Sequence, residues 1–174
     1  MDVTVGRILF TEEQIRAKAK EVAAQINEDY KGESLYLVGT LRGAVVWMGD
    51  LMKEIELDTE IDFIAASSYQ GTDSTGVVTI KKDLDGDVTG KNVIIVEDIV
   101  DTGFTLSKLL EYFRGKGAKS VEICSMLSKP SRRKVDIDPK YNGFVIDDLF
   151  VIGYGLDYNQ KFRNLPYIGV AELR

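Results

Sequence analysis

Apolar residues recur along this chain at two spacings, one typical of amphipathic helices and the other of buried strands. Thr11 and Gln14 form a capping box, and apolar residues at helical spacing follow it over residues 15–26. The same spacing returns over residues 44–55 and 106–113. The short apolar runs that predict strands are residues 35–39, 61–66, 92–96 and 121–127, with shorter runs at 149–152 and 167–170.

The order of these elements predicts an α/β fold. Strands alternate with helices, and a strand without polar positions is buried on both of its faces. We therefore expect a parallel, doubly wound sheet with flanking helices, in a single domain over residues 1–174. Sheets of this kind bind ligands beyond the carboxyl ends of their strands, where the connecting loops converge. Residues 67–91 form a long polar connection with one short β-like run at residues 77–80, and such a connection in a compact domain is usually functional or mobile.

Composition narrows both the chemistry and the partners. The chain has no histidine, which excludes Ser-His-Asp and Cys-His catalysis as well as histidine-ligated zinc. With a single cysteine, Cys124, the chain cannot form an internal disulfide, and this favours a protein of the reducing cytoplasm. Cys124 lies in an apolar run, which is typical of a packing residue. The net charge of −6 argues against nucleic-acid and anionic-membrane partners, and no apolar stretch approaches the length of a membrane span. Any bound phosphate must therefore be held locally, by backbone amides, basic side chains or a metal ion.

A polar loop follows the apolar run at residues 92–96. Thr102, Gly103 and Thr105 open the next helix, and the free amides and positive dipole end of a helix N-terminus attract anions. Gly103 lets the backbone approach a ligand closely, while the two threonine hydroxyls add donors. The loop therefore predicts a site for one terminal phosphate.

Three carboxylates stand beside this loop, those of Glu97, Asp98 and Asp101. Because carboxylates repel phosphate, Glu97 and Asp98 are better suited to sugar hydroxyls or to a magnesium ion that bridges to the ligand. A ligand with a phosphate at one end and a diol nearby is a ribose 5-phosphate. The simpler alternative is that Asp101 and Thr102 cap a helix and the other two carboxylates are solvated. A plain cap, however, does not need three carboxylates within five positions.

The stretch IIVEDIVDTGFTL resembles the phosphoribosyl-diphosphate motif of type I phosphoribosyltransferases. Within that family it is most similar to the hypoxanthine-guanine branch, since relatives that act on adenine or orotate usually carry a small residue at the position of Asp101. The resemblance covers residues 35–163 and implies a small hood region and a mobile lid beside the sheet. Phe104 departs from the pattern, because relatives often carry a basic or polar residue there. Backbone amides would hold the phosphate whatever this side chain is.

The resemblance also implies roles for the residues of this stretch. Asp101 would be the catalytic general base toward the purine ring. A magnesium cofactor would be held by Glu97, Asp98 and Asp157, directly or through water. The residues that would bind the phosphoribosyl group are Glu97, Asp98, Asp101, Thr102, Gly103, Phe104 and Thr105.

Other segments resemble the pyrophosphate loop, the lid and the purine pocket of the same family. Arg42 and Gly43 would bind pyrophosphate, in a loop where relatives have a non-proline cis peptide bond before the basic residue. Arg163 would help to hold pyrophosphate, and Ser68 and Tyr69 would begin the lid. The residues that would bind the base are Lys129, Phe150, Val151 and Asp157. Taken singly, Arg42 and Lys129 could be solvated charges, Tyr69 a surface aromatic and Phe150 a core residue.

The resemblance implies an enzyme of purine salvage with small-molecule substrates, assembled as a homodimer or homotetramer. It would transfer the phosphoribosyl group from phosphoribosyl diphosphate to hypoxanthine or guanine and release pyrophosphate. One alternative is a regulatory protein that senses phosphoribosyl diphosphate or nucleotides on the same fold. Another is an enzyme of the same family that acts on xanthine or a pyrimidine. Asp101 and Lys129 disfavour a pyrimidine, and they leave xanthine open.

Overall fold

The structure is a computed structural model that describes residues 2–68 and 77–174. Its elements, in chain order, are β1 (Val3–Phe10), α1 (Glu12–Asp29), β2 (Leu35–Thr40), α2 (Val45–Lys53), β3 (Thr59–Ser68), β4 (Val78–Lys82), β5 (Asn92–Val100), α3 (Phe104–Gly115), β6 (Ser120–Ser128), a 3₁₀ turn (Pro130–Arg132), β7 (Tyr141–Val145), β8 (Val151–Ile152) and β9 (Ile168–Leu173). The strands form a six-stranded sheet in the order β4-β3-β2-β5-β6-β7 and a three-stranded sheet in the order β1-β9-β8.

The six-stranded sheet is parallel except at one edge. β2 pairs in parallel with β3 and β5, β5 with β6, and β6 with β7, whereas β4 runs antiparallel to β3. Helices α1 and α2 pack on one face and α3 packs on the other, through two separate apolar clusters. Alternate residues of β5 enter the two clusters, with Ile94 in the first and Ile95 in the second. The prediction of a parallel, doubly wound sheet is confirmed.

Strand β5 is longer than predicted, because it continues past its apolar run to Val100. The added residues pair with β6 as far as the partners Val100 and Ser128. Backbone hydrogen bonds to this neighbour maintain the strand where polar side chains predicted a turn. Glu97 and Asp98 therefore lie within the strand and not in a turn beyond it.

The three-stranded sheet contains β1, which the sequence pattern did not predict. Its residues are partly or largely exposed, so they lack the buried run by which the other strands were recognised. β1 pairs antiparallel with β9, and β9 pairs antiparallel with β8, which makes this sheet the hood beside the main one. Val151 and Ile168 of the hood belong to the same apolar cluster as α1. The two sheets are consequently packed through a shared core.

β7, the edge strand of the main sheet, is the second element that the pattern missed.

Two inferences from composition can be compared with the structure. Cys124 is fully buried, and burial raises the pKa of its thiol to about 12, in agreement with a packing residue. None of the described helices is long and apolar enough to cross a membrane.

Asp62 is a buried carboxylate that ties the connection after β4 to the centre of the sheet. It is 6% exposed, and its carboxylate accepts hydrogen bonds from the Tyr36 hydroxyl at 2.6 Å and from the amides of Phe63, Asp85 and Gly86 at 2.7–3.0 Å. Burial raises the pKa of Asp62, but these hydrogen bonds outweigh burial and hold the pKa below its ordinary value. Asp62 thus remains charged inside the protein because four donors surround it.

We predict that Asp62→Asn lowers the free energy of unfolding at pH 7 by about 1–3 kcal/mol, because the new amide faces buried donors. Since the pKa of Asp62 is lower in the folded state, its contribution is present above pH 4 and is lost as the pH falls through the folded value. Urea denaturation of both proteins over this range measures the difference, which should shrink in acid. Glu60→Gln, on the same strand with a side chain 63% exposed, is the control and should change stability by less than about 0.5 kcal/mol. A difference that stays constant down to pH 2 would contradict this account.

Candidate active site

A cavity of about 340 Å³ opens at the carboxyl ends of β2 and β5. This position agrees with the rule that parallel sheets bind ligands at the carboxyl ends of their strands. The structure brings together there the residues predicted for the phosphoribosyl group, the pyrophosphate and the metal: Arg42, Gly43, Glu97, Asp98, Asp101, Thr102, Gly103, Phe104, Thr105, Asp157 and Arg163.

The loop that the sequence predicts to bind a phosphate connects the end of β5 to α3. Gly103 adopts the left-handed conformation, with φ at +82°, and provides no side-chain cap for the helix. The amide of Phe104 makes only a long contact, at 3.4 Å, with the Thr102 hydroxyl. The first turn of α3 therefore has free backbone amides beside the cavity, and these amides can bind an anion. Asp101 does not cap the helix, because its side chain pairs with Arg132 at 2.9 Å instead.

Glu97 and Asp98 form the acidic side of the cavity. The Thr40 hydroxyl donates to Glu97 Oε1 at 2.7 Å, a contact that the sequence did not reveal because Thr40 lies on another strand. Burial raises the pKa of Glu97 well above its ordinary value, and the charge of Asp98 raises it further. Gly43 packs directly against Asp98, and a Cβ atom at Gly43 would overlap Asp98 Oδ2. The pyrophosphate loop and the acidic strand end are thus in contact.

Two arginines, Arg42 and Arg163, also line the cavity. The Leu41–Arg42 peptide bond is cis, as the resemblance implied. Arg163 pairs with Asp157 at 3.0 Å, and its Nη1 donates to the Gly155 carbonyl at 2.7 Å. Gln160 accepts hydrogen bonds from both Arg42 and Arg163 at 3.0 Å, and so places two guanidinium groups around one oxygen atom. Sequence reasoning missed Gln160, because a polar residue in a polar turn carries no distinctive signal.

Of the predicted base residues, Asp157 lines this cavity, whereas Lys129, Phe150 and Val151 are not among its lining residues. Lys129 follows β6, and its amide donates to the Val100 carbonyl at 2.9 Å. The lysine is only 7% exposed, with Nζ 3.5 Å from Asp148, so the reading of Lys129 as a solvated charge is wrong. Phe150 is 56% exposed, with its ring edge-on to Tyr158, so the reading of Phe150 as a core residue is also wrong. Val151 is buried at the start of β8.

Arg133 is a further residue that the sequence did not single out, since it lies in a basic run typical of solvated loops. Its guanidinium donates to the carbonyls of Val100 and Asp101 at 3.1 and 2.7 Å, and to the Ser128 hydroxyl at 2.7 Å. The side chain is 11% exposed. Arg133 therefore joins the loop after β6 to the end of β5.

The lid prediction falls partly outside the structure. Ser68 ends β3 and pairs with Val78 of β4, while Tyr69 lies outside the described residues. Among residues 2–68 and 77–174, no three acidic, histidine or cysteine side chains converge closely enough to hold a metal ion by themselves. Magnesium commonly takes one or two protein carboxylates together with substrate oxygens and water, and Glu97, Asp98 and Asp157 provide such donors around one cavity.

Comparison with known proteins agrees with this geometry. The family model described as the phosphoribosyl transferase domain matches residues 8–159. The hypoxanthine-guanine phosphoribosyltransferase of Bacillus subtilis (strain 168) is 47% identical over 169 residues, which are 97% of this chain and 94% of that protein. The enzyme of the same name from Staphylococcus epidermidis is 50% identical over 173 residues, which are 99% of this chain and 97% of that protein.

Solved structures give the same result. The crystal structure of a hypoxanthine-guanine phosphoribosyltransferase from Bacillus anthracis has a TM-score of 0.94 and 44% identity, and the match covers 99% of this chain and all of that one. A hypoxanthine phosphoribosyltransferase from Staphylococcus aureus has a TM-score of 0.93 and 47% identity, over 97% of this chain and 92% of that one. Since the family model spans most of the chain and the relatives align over nearly all of it, the chain belongs to the phosphoribosyl transferase domain family.

Proposed function

We propose that this protein is a purine-salvage enzyme that transfers the 5-phosphoribosyl group from phosphoribosyl diphosphate to hypoxanthine or guanine, giving IMP or GMP and pyrophosphate. The observation that carries the proposal is that the loop before α3, the carboxylates at the end of β5 and two arginines all line one cavity. Relatives named for this activity, at 47–50% identity over nearly the whole chain, support the choice of base. A sensor would need the loop and the arginines, but it would have no use for a carboxylate such as Asp101 at the mouth of the phosphate loop.

The groups that line the cavity are of the kinds that each part of phosphoribosyl diphosphate would need. The amides at the start of α3, with Thr102 and Thr105, bind the 5-phosphate. Glu97 and Asp98 accept hydrogen bonds from the ribose hydroxyls. Arg42 and Arg163 receive the pyrophosphate, because their paired guanidinium groups already surround one acceptor oxygen.

Magnesium fits the donors around this cavity, because they are carboxylate oxygens of the kind that this ion prefers. Glu97 and Asp98 would hold it near the ribose, and Asp157 would hold a second ion near the pyrophosphate. When bound, magnesium neutralises negative charge on the departing pyrophosphate. Asp157 is already oriented by Arg163 and by the amide of Gln160, which donates to it at 2.8 Å.

The remaining residues orient the purine and manage its proton. A ring nitrogen of the base displaces pyrophosphate from the anomeric carbon, and Asp101 accepts or shares the proton of the imidazole ring as general base. Lys129 donates to the 6-oxo group, Phe150 stacks on the base, and the backbone at Val151 and Asp157 contacts its other edge. Ser68 and Tyr69 would begin a lid that excludes water from the reacting centre.

We further propose that residues 1–174 act as one domain in the cytoplasm and that the enzyme forms a homodimer or homotetramer. The shared core of the two sheets supports a single domain. A buried, unreactive Cys124 supports a reducing compartment. The assembly follows from the resemblance to the family, and sedimentation of the purified protein would measure it.

A spectrophotometric assay with phosphoribosyl diphosphate and magnesium tests the proposed function directly. Hypoxanthine, guanine, xanthine and adenine are supplied in turn. We expect turnover with hypoxanthine and guanine and little with adenine. Turnover with xanthine alone would assign the enzyme to another base, and binding of phosphoribosyl diphosphate without turnover of any base would favour a sensor.

Asp101→Asn keeps the size of the side chain and removes the base. We predict that kcat falls by about 10²- to 10⁴-fold, the usual range for a general acid–base group. The affinity for phosphoribosyl diphosphate, measured by calorimetry, should change far less. Asp85→Asn makes the same chemical change at a side chain that is 89% exposed and should leave kcat unaltered. If Asp101→Asn retains turnover within a few-fold of wild type, Asp101 is a partner of Arg132 and not the base.

Lys129→Gln tests base choice through donor and acceptor chemistry. A charged lysine can only donate, so it pairs with the 6-oxygen of hypoxanthine and faces the 6-amino group of adenine donor to donor. Glutamine can turn either its amide donor or its carbonyl acceptor toward the base. We predict that Lys129→Gln loses most activity on hypoxanthine and narrows the ratio of kcat/KM for hypoxanthine to that for adenine. Lys53→Gln, at a lysine 62% exposed on α2, should leave this ratio unchanged. An unchanged ratio in Lys129→Gln would remove Lys129 from the base site.

A further inference from the structure

Arg132 lies between two carboxylates beside the cavity. Its Nε is 2.9 Å from Asp101 Oδ1, and its Nη1 is 3.5 Å from Asp148 Oδ2. The other oxygen of Asp148 is 3.5 Å from Lys129 Nζ. These four side chains form a chain of alternating charge that runs from the proposed general base to the proposed reader of the 6-oxo group.

The backbone that carries Arg132 is fixed against the backbone that carries Asp101. The amide of Lys129 donates to the Val100 carbonyl and the amide of Lys134 donates to the Thr102 carbonyl, both at 2.9 Å. Arg132 therefore ends a short 3₁₀ turn that is bonded on both sides to the segment around Asp101. The backbone at Arg132 is therefore held in place relative to the backbone at Asp101.

The Asp101 carboxylate itself is not enclosed, because its side chain is 42% exposed. Arg132 holds Oδ1, while Oδ2 accepts no hydrogen bond from the part of the chain that the structure describes. One oxygen is thus fixed and the other is left for a ligand.

We infer that Arg132 is a positioning residue for Asp101, which orients the base by holding one carboxylate oxygen and is itself held by Asp148. The inference rests on the proposed role of Asp101. Through Asp148 the same arrangement also aligns Lys129, so that the proposed general base and the proposed donor to the 6-oxo group are both ordered before the purine binds.

Loss of the ion pair between Arg132 and Asp101 should affect catalysis far more than folding stability. Exposed ion pairs contribute little to folding, so loss of this pair should leave the thermal midpoint almost unchanged. Catalysis is more sensitive, since a displacement of about 1 Å at a reacting group can cost about 10²-fold in rate. Arg132 should therefore matter for kcat and hardly at all for the fold.

Arg132→Met, which keeps the length of the side chain and removes the charge, should lower kcat with hypoxanthine by about 10-fold. The KM for phosphoribosyl diphosphate should stay within about twofold, because Arg132 does not hold that substrate, and Arg132→Lys should restore part of kcat. Arg16→Met removes an arginine from an exposed 2.9 Å ion pair on α1 and is the matched control, with no change expected. A kcat for Arg132→Met within twofold of wild type would overturn the inference.

A double mutant shows whether Arg132 acts through Asp101. In an Asp101→Asn background, Arg132→Met should change kcat by less than about twofold, because the group that it orients is already gone. An equal loss in both backgrounds would mean that Arg132 acts in another way, and it would overturn the inference.

Crystal structures of wild type and Arg132→Met provide a readout that does not need turnover. Asp101 should have one rotamer in wild type and several in the variant, and one unchanged rotamer in both would refute positioning. If wild type fails to turn over any purine, the proposed function is wrong. The number of Asp101 rotamers in the two structures still shows whether Arg132 positions this side chain.

Discussion

The hydrogen-bond ladder between β5 and β6 is the constraint on which the site depends. It continues beyond the apolar part of β5 to the partners Val100 and Ser128, and the amide of Lys129 extends it by one more bond to the Val100 carbonyl. Glu97 and Asp98 are held in a strand by this ladder, and the phosphate loop leaves the sheet at a defined point. Without it, the acidic residues would belong to a flexible turn, and their position relative to α3 would not be set.

A second constraint is electrostatic. The protein carries a net charge of −6, yet its proposed substrate is itself strongly anionic. The groups that can attract an anion act locally, because the amides at the start of α3 and two arginines line the same cavity as Asp157 and the carboxylates of β5. Glu97 is buried beside Asp98, which raises its pKa, favours its neutral form and so lowers the negative charge that the cavity presents to an anion. Attraction of the proposed substrate would therefore depend on a few groups at short range and not on the field of the whole protein.

Much of the fold and most of the cavity could be predicted from the sequence, because both leave local patterns. Buried parallel strands have unbroken apolar runs, and the acidic and threonine residues at the end of β5 and the start of α3 lie within one short stretch, residues 97–105. β1 was missed because its residues are partly exposed, and the end of β5 was misplaced because pairing with β6 outweighs the polar side chains. Thr40, Gln160 and Arg133 were missed for another reason. Their partners lie on distant segments, and only the folded chain brings those segments together.

Arg133 has one further consequence. Its guanidinium binds the carbonyls of Val100 and Asp101 on one segment and the Ser128 hydroxyl on another, so the two loops cannot separate without breaking several hydrogen bonds. Lys129 and Asp101 are attached to these joined loops, so the hydrogen bonds of Arg133 limit how far their backbones can move apart. With the roles proposed for them, the donor to the base and the group that takes its proton are carried by one connected unit, and a movement of either loop would shift both.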